Sequence, residues 1–325
     1  GDVLTVTSEK DGFLWVPRLN GWAPKEDTLD VKDAVQLFSA TIKEKPSAQA
    51  WHHRAKAWYA LGRYQKAIDD FDQAIAIART KRLSDRSDDK DRMVSLQINR
   101  ANAYRELGKA DRAIQGYTSA LSLAPRNVIA LSNRGLLLKD TGKLDAAMFD
   151  LNAAIRIRPD YPEARNHRGN TYWKQGKPEQ AERDYKRAAK LRPGYPEPYF
   201  NLAAVARGRQ EYKESLAYLK KAVSLDPNYT AALNDLAWLL ATCSDTSLRD
   251  GKLAVKHATR ACQLTKLKNA NTIDTLAAAL AENGDFSEAV KRVEQAIRLS
   301  NEESKPLMTV RKNLYLTKQA YVDRN

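Results

Sequence analysis

The stretch VIALSNRGLLLKDTGKLDAAMFDLNAAIRIRPDY, residues 128–161, decides the fold. Apolar residues return at helical spacing on both sides of Thr141-Gly142, and Pro159-Asp160 closes the segment. It therefore reads as two amphipathic helices joined by a turn. Neither helix can bury its apolar face alone, so the unit needs copies of itself on both sides. The copies are present. Pro125, Pro159, Pro193 and Pro227 recur at a step of 34 residues, as do Ala120, Ala154, Ala188 and Ala222. Gly108, Gly142 and Gly176 keep the same step, and so do Ala113, Ala147, Ala181 and Ser215.

Working outward, a half repeat (30–46) and pairs at about 48–81, 94–127, 128–161, 162–195, 196–229, 230–268 and 270–302 are expected. The segment TKRLSDRSDDKD between Arg79 and Arg92 is a polar insertion, expected as a solvated loop or an overlong helix end. The sixth pair carries about five extra residues, Cys243–Ser247, at its turn. A last helix, Ser304–Tyr321, places Leu307, Val310, Leu314 and Tyr321 on one side and suits a terminal cap within 303–325. Residues 1–29 break the helical period. There GDVLTVTSE alternates, GFLWVPR and GWAPKED supply aromatic and β-branched residues, and Asp11-Gly12 and Asn20-Gly21 mark turns, which predicts two or three short strands. The spacing of Gly1, Val6, Gly12-Phe13-Leu14-Trp15-Val16 and Gly21-Trp22 resembles the C-terminal half of a bacterial SH3-like domain. A complete barrel of that kind needs about twice this length, so missing upstream strands or a lid on the first helix are the two expectations.

The formal net charge of the 325-residue chain is +14, which admits acidic proteins, nucleic acid or anionic lipid as partners. Basic residues concentrate in Arg156–Arg192 and in Lys252–Lys268, the latter without an acid. No run reaches the roughly 18–20 apolar residues of a membrane span. The chain opens with Gly and with no visible signal peptide, as a mature or trimmed form would, and both a cytoplasmic and a periplasmic location stay open. Cys243 and Cys262 form no metal-binding spacing and read as two small buried residues.

The segments LSNRGLLLKDTGKLDAAMFDLNAAIRIRP (131–159) and NHRGNTYWKQGKPEQAERDYKRAAKLRP (166–193) resemble the tetratricopeptide repeat superfamily, and the likeness spans about nine-tenths of the chain. Small residues stand where the helices of a unit cross: Ala101, Gly135, Gly169, Ala203 and Ala237 in the first helix, Ala147 and Ala181 in the second. The resemblance implies an all-α fold, an α-solenoid wound as a right-handed superhelix, with first helices lining a concave groove. Helical phasing then directs His52, Lys56, Tyr59, Asn102, Arg105, Lys139, Asn166, Asn170, Trp173, Phe200, Arg207, Asn234 and Trp238 into that groove. Cations and amides suit a peptide backbone or carboxylate, and the aromatics suit anchoring roles, although Trp173 and Trp238 could equally pack against neighbouring helices. Family members that clamp a C-terminal carboxylate carry a Lys where this chain has Ile98, Ser132 or Asn166, so that ligand is not supported. Arg54, Arg134 and Arg168 are each followed sixteen residues later by Asp70, Asp150 and Asp184, which predicts an ion pair between the helices of one unit. Arg100 faces Gly116 and breaks the pattern.

No nucleotide-binding, nucleophile-elbow or zinc-protease motif is present, and His52, His53, His167 and His257 do not form a ligand set. Neither catalysis nor a cofactor is indicated. The expected function is a non-catalytic scaffold or adaptor holding a peptide or protein, with an acidic partner favoured by the charge. RNA binding through basic helix faces and a cell-envelope module are the rival expectations.

Overall fold

The computed structural model describes residues 8–10, 13–16 and 21–24 as backbone strands, and residues 30–80 and 87–323. Strands β1 (Ser8–Lys10), β2 (Phe13–Val16) and β3 (Gly21–Pro24) pair antiparallel in the order β1-β2-β3, with Trp15 opposite Trp22. The remaining N-terminal positions of the SH3-like spacing, Gly1, Val6 and Gly12, lie outside the described residues. The other described residues are mainly helical, and the chain divides into two compact units, Gly1–Lys177 and Pro178–Asn325.

The first unit holds α1 (Val31–Glu44), α2 (Ala48–Ala60), α3 (Tyr64–Thr80), α4 (Ser87–Glu106), α5 (Ala110–Leu123), α6 (Val128–Asp140), α7 (Leu144–Ile157) and α8 (Pro162–Lys174). Helices α2 and α3, α4 and α5, and α6 and α7 form hairpins. Each hairpin packs on the next, through α3 with α4, α5 with α6 and α7 with α8, and first helices also meet, as α6 does α8. The starts are set locally: Ser47 and Asn127 accept hydrogen bonds from Ala50 N and Ala130 N, and Pro162 opens α8, where a missing N–H has no cost. The turn of the 128–161 hairpin uses Gly142 at φ 82°, a left-handed conformation that disfavours other residues. Its helices then cross at Gly135, where an added Cβ would stand 2.7 Å from Leu151 Cγ and 3.3 Å from the Ala147 carbonyl oxygen. The insertion lengthens both flanking helices, α3 to Thr80 and α4 back to Ser87; residues 81–86 lie outside the described ones.

The predicted ion pairs form where both partners share this unit. Arg54 Nε donates to Asp70 Oδ2 at 2.7 Å and its second nitrogen to Oδ1 at 2.8 Å; Arg134 holds Asp150 at the same distances. Arg168 and Asp184 belong to different units. Each of these arginines also reaches the second helix of the preceding repeat: Arg54 to Ser39 (3.1 Å), Arg134 to Thr118 (3.1 Å) and Arg168 to Asn152 (2.8 Å). Arg100 makes that same contact with Asp72, so it is no exception on this side.

The second unit holds α9 (Pro178–Leu191), α10 (Pro196–Gly208), α11 (Tyr212–Leu225), α12 (Thr230–Thr242), α13 (Gly251–Leu264), α14 (Ala270–Glu282), α15 (Phe286–Leu299) and α16 (Lys305–Leu316). Its core gathers Leu236, Leu240, Ile273, Val293, Met308 and Tyr315. The extra residues of the sixth pair leave α12 at Cys243 and run into a short 3-10 turn, Thr246–Leu248. Gly251 then lets α13 begin against the end of α14, because a Cβ there would lie 2.7 Å from Asn283 N. Cys243 and Cys262 are buried free thiols, and Cys262 Sγ donates to the Thr272 carbonyl oxygen.

The last helix corrects the sequence reading. It ends at Leu316, and Met308, Arg311 and Tyr315 face inward while Leu307 and Val310 stay exposed. The stripe 308-311-315 wins because Arg311 meets the buried carboxylate of Asp274 on α14, and Tyr321 lies beyond the helix altogether.

A candidate partner-binding face on the first helices

In the first unit the predicted groove residues sit on α2, α4, α6 and α8, and several of them join these helices to one another. Asn99 Nδ2 lies 3.0 Å from His52 Nε2 and couples α4 to α2. Asn102 Oδ1 accepts from Tyr117 Oη at 2.6 Å and from Asn133 Nδ2 at 3.2 Å, coupling α4 to α5 and to α6. Ser132 Oγ lies 2.9 Å from His167 Nδ1, and Lys174 Nζ donates to the Lys139 carbonyl oxygen at 3.0 Å, both between α6 and α8. Polar residues at this register thus build the face as a hydrogen-bonded ladder. Each rung orders a side chain before any ligand arrives, which lowers the entropy cost of binding.

The charges on this face are locally balanced. Arg105 bonds Glu106 at 2.8 Å, and Lys139 Nζ pairs with Asp140 at 2.7 Å. Tyr59 packs edge-on against Tyr64 with ring centres 5.3 Å apart, and its hydroxyl is pushed up to about 12 by burial and by the nearby Glu106 carboxylate. Lys56 and Asn170 are half-buried, Asn166 is buried, and Trp173 is 43% exposed. Trp173 is therefore the large aromatic this face offers to solvent.

In the second unit Phe200 packs on Tyr229 at 5.2 Å, and Arg207 stands 3.5 Å from Asp235, whose carboxyl is held above its usual range by burial. Asn234 Oδ1 is buried with no hydrogen-bond partner among the described residues. Trp238 is covered. Its Nε1 donates to Asp323 Oδ2 at 2.9 Å, the Tyr321 ring lies 5.9 Å away, and the Arg311 guanidinium sits 5.4 Å from both rings. No residue pattern announces this contact, because its partners are separated by 85 positions.

Away from these faces, a cavity of about 410 Å³ opens among α13, α14 and α15 beside Cys262, Leu276, Leu280 and Arg292. Among the described residues no three His, Cys, Asp or Glu side chains gather closely enough to hold a metal ion, and no helix is long and apolar enough to cross a membrane.

Family models described as tetratricopeptide repeat or TPR repeat match residues 48–81, 101–142, 136–176 and 167–230. No curated protein matches the chain. Among solved structures, the APC/C hetero-tetramer Cut9–Hcn1 is similar with a TM-score of 0.61 at 16% identity, over 77% of this chain and 46% of that one. Yeast Tom70 follows at 0.59 and 17%, over 89% and 59%. PilF of Pseudomonas aeruginosa gives 0.57 and 17%, over 68% and 98%. The chain thus matches only about half the length of the first two. The family matches all lie outside residues 1–29.

Proposed function

We propose that this tetratricopeptide repeat protein is a non-catalytic scaffold that holds a peptide or protein against the first helices of its repeats. The observation that carries the reading is the ladder His52–Asn99, Asn133–Asn102 and Ser132–His167, which links α2, α4, α6 and α8 in the first unit, α8 being the helix that carries the exposed Trp173. A preordered amide face with an accessible indole suits an extended chain, whose backbone groups need polar partners and whose side chains need an anchor. The net charge of +14 favours an acidic partner, because opposite charge accelerates encounter. That Cut9–Hcn1 is an assembly of two kinds of chain is in keeping with a fold put to such use.

The test is capture of partners on the immobilised full chain and on Trp173→Ala, identified by mass spectrometry. The variant is expected to lose the specific partner by tenfold or more while its helical circular dichroism is unchanged. Equal capture by both chains would sink the reading. Recovery of RNA, released by moderate salt, would favour the rival use of the exposed basic face of α9, which carries Arg183, Lys186, Arg187 and Lys190.

A further inference from the structure

The C-terminal residues return to the array instead of leaving it. Lys318 takes φ 56° immediately after α16, and Gln319 N then donates to the Leu314 carbonyl oxygen, a left-handed helix end that reverses the chain. Thr317, Lys318 and Gln319 are exposed, so this segment is held by its far end. There Asp323 makes two hydrogen bonds to one helix: its carboxylate accepts from Trp238 Nε1, and its backbone N–H donates to the Thr242 carbonyl oxygen at 2.8 Å. Thr242 is the last residue of α12, where carbonyl groups have no partner within the helix. Tyr321 lies against Trp238, with Arg311 beside both rings.

These contacts have the form of a bound peptide. They consist of a backbone hydrogen bond, a carboxylate on an indole N–H, and an aromatic ring packed beside both an indole and a guanidinium. Trp238 also stands on the same 34-residue register as Asn102 and Asn170, so the segment covers the second unit's counterpart of the first-helix face. None of residues 320–323 is fully buried, which distinguishes them from the core of α16, where Met308 and Tyr315 are. One turn before Trp238, the Oδ1 of Asn234, without a hydrogen-bond partner among the described residues, offers an acceptor for a further N–H.

We propose that the Trp238 face of the second unit is a binding site for an acidic peptide carrying an aromatic residue two positions before a carboxylate, and that Tyr321–Val322–Asp323 occupies this site in cis. A partner with that pattern displaces residues 321–323, and its apparent affinity is lowered by competition from this segment, held at an effective concentration on the order of millimolar. The inference rests on the reading that first helices take peptides, and it concerns a different face from Trp173.

The experiment uses the full chain, native and with Tyr321→Ser plus Asp323→Ser, labelled with ¹⁵N, and a synthetic peptide of residues 317–325 as the probe. The Trp238 indole N–H resonance, assigned with Trp238→Phe, is the readout. The double variant is expected to shift this resonance, and the added peptide to return it saturably towards its native position with a half-point of about 0.1 mM or less, as near-complete occupancy by a segment at millimolar effective concentration requires. The native chain, already occupied, is expected to respond at least tenfold more weakly. A resonance unmoved by the double substitution would overturn the proposal, as would a double variant that ignores several millimolar peptide. So would native and variant chains that respond alike. Because the probe is the chain's own segment, this result is independent of partner capture at Trp173.

Discussion

His167 carries the most legible pH effect. It lies on α8 with Nδ1 2.9 Å from Ser132 Oγ, and its pKa is lowered to about 4, first by burial and further by the positive charges of Lys139 and Arg105. An exposed histidine titrates near 6.5. Between these values the unfolded chain takes up a proton that the folded chain refuses, so stability is lost as pH falls from about 6.5 towards 4. The loss attributable to His167 between pH 7 and pH 5 is about 2 kcal/mol. Asp235, Asp274 and Glu282, held above their usual range by burial, act in the opposite sense, so the diagnostic quantity is a difference between two chains. His167→Asn is expected to shrink the drop in urea midpoint between pH 7 and pH 5 relative to the native chain; an unchanged drop would assign the acid sensitivity elsewhere. Sequence reading named His167 only to dismiss it as a ligand, since its environment depends on Ser132, 35 residues away. The Arg54–Asp70 and Arg134–Asp150 pairs were readable because a fixed sixteen-residue offset joins complementary charges. The second grip of the same arginines was not, because Ser39, Asp72, Thr118 and Asn152 differ in chemistry and the insertion shifts Arg100 out of phase.

At the scale of the element, the 128–161 hairpin behaves as its pattern implies. Small residues mark crossings, and Ala147 and Ala154 are fully buried. Gly135 marks a close crossing, since a Cβ there would meet Leu151 at 2.7 Å and the carbonyl oxygen of Ala147 behind it. Gly135→Ala gains helix propensity worth under about 1 kcal/mol and meets an overpacking cost of about 1–3 kcal/mol. A net loss is expected, read as a lower urea midpoint with an unchanged slope; a stabilised variant would mean that Leu151 swings aside freely. The element that misled was α16. Counting apolar residues put Leu307, Val310, Leu314 and Tyr321 on one side; Leu314 and Tyr321 pack on the core, whereas Leu307 and Val310 stay exposed because the helix turns to bring Arg311 onto Asp274. Apolar periodicity describes a helix whose buried face is wholly apolar, and a buried ion pair within the stripe rotates the answer. Trp238 is covered by Tyr321 and Asp323, which no local pattern connects to it.

At the scale of the whole molecule, stability in a repeat chain is a sum of neighbour contacts, so damage is expected to stay local. Arg134 permits a sharp trial. Its guanidinium holds Asp150, whose side chain is 2% exposed, and it touches Thr118 on α5 as well. Arg134→Met leaves that carboxylate buried without its cation, at a cost of about 3 kcal/mol or more. If the chain unfolded only as one body, every slowly exchanging amide would lose the same protection. With neighbour-limited coupling, amides of α5, α6 and α7 are expected to exchange about a hundredfold faster, while those of α14 and α15 keep their native rates. Hydrogen exchange followed by mass spectrometry separates the two outcomes. A uniform acceleration across α5–α15 would overturn the local picture. Retention at α14 and α15 would mean that the Trp238 face in the second unit keeps its order when the first unit is weakened, so the two first-helix faces can be altered and assayed one at a time.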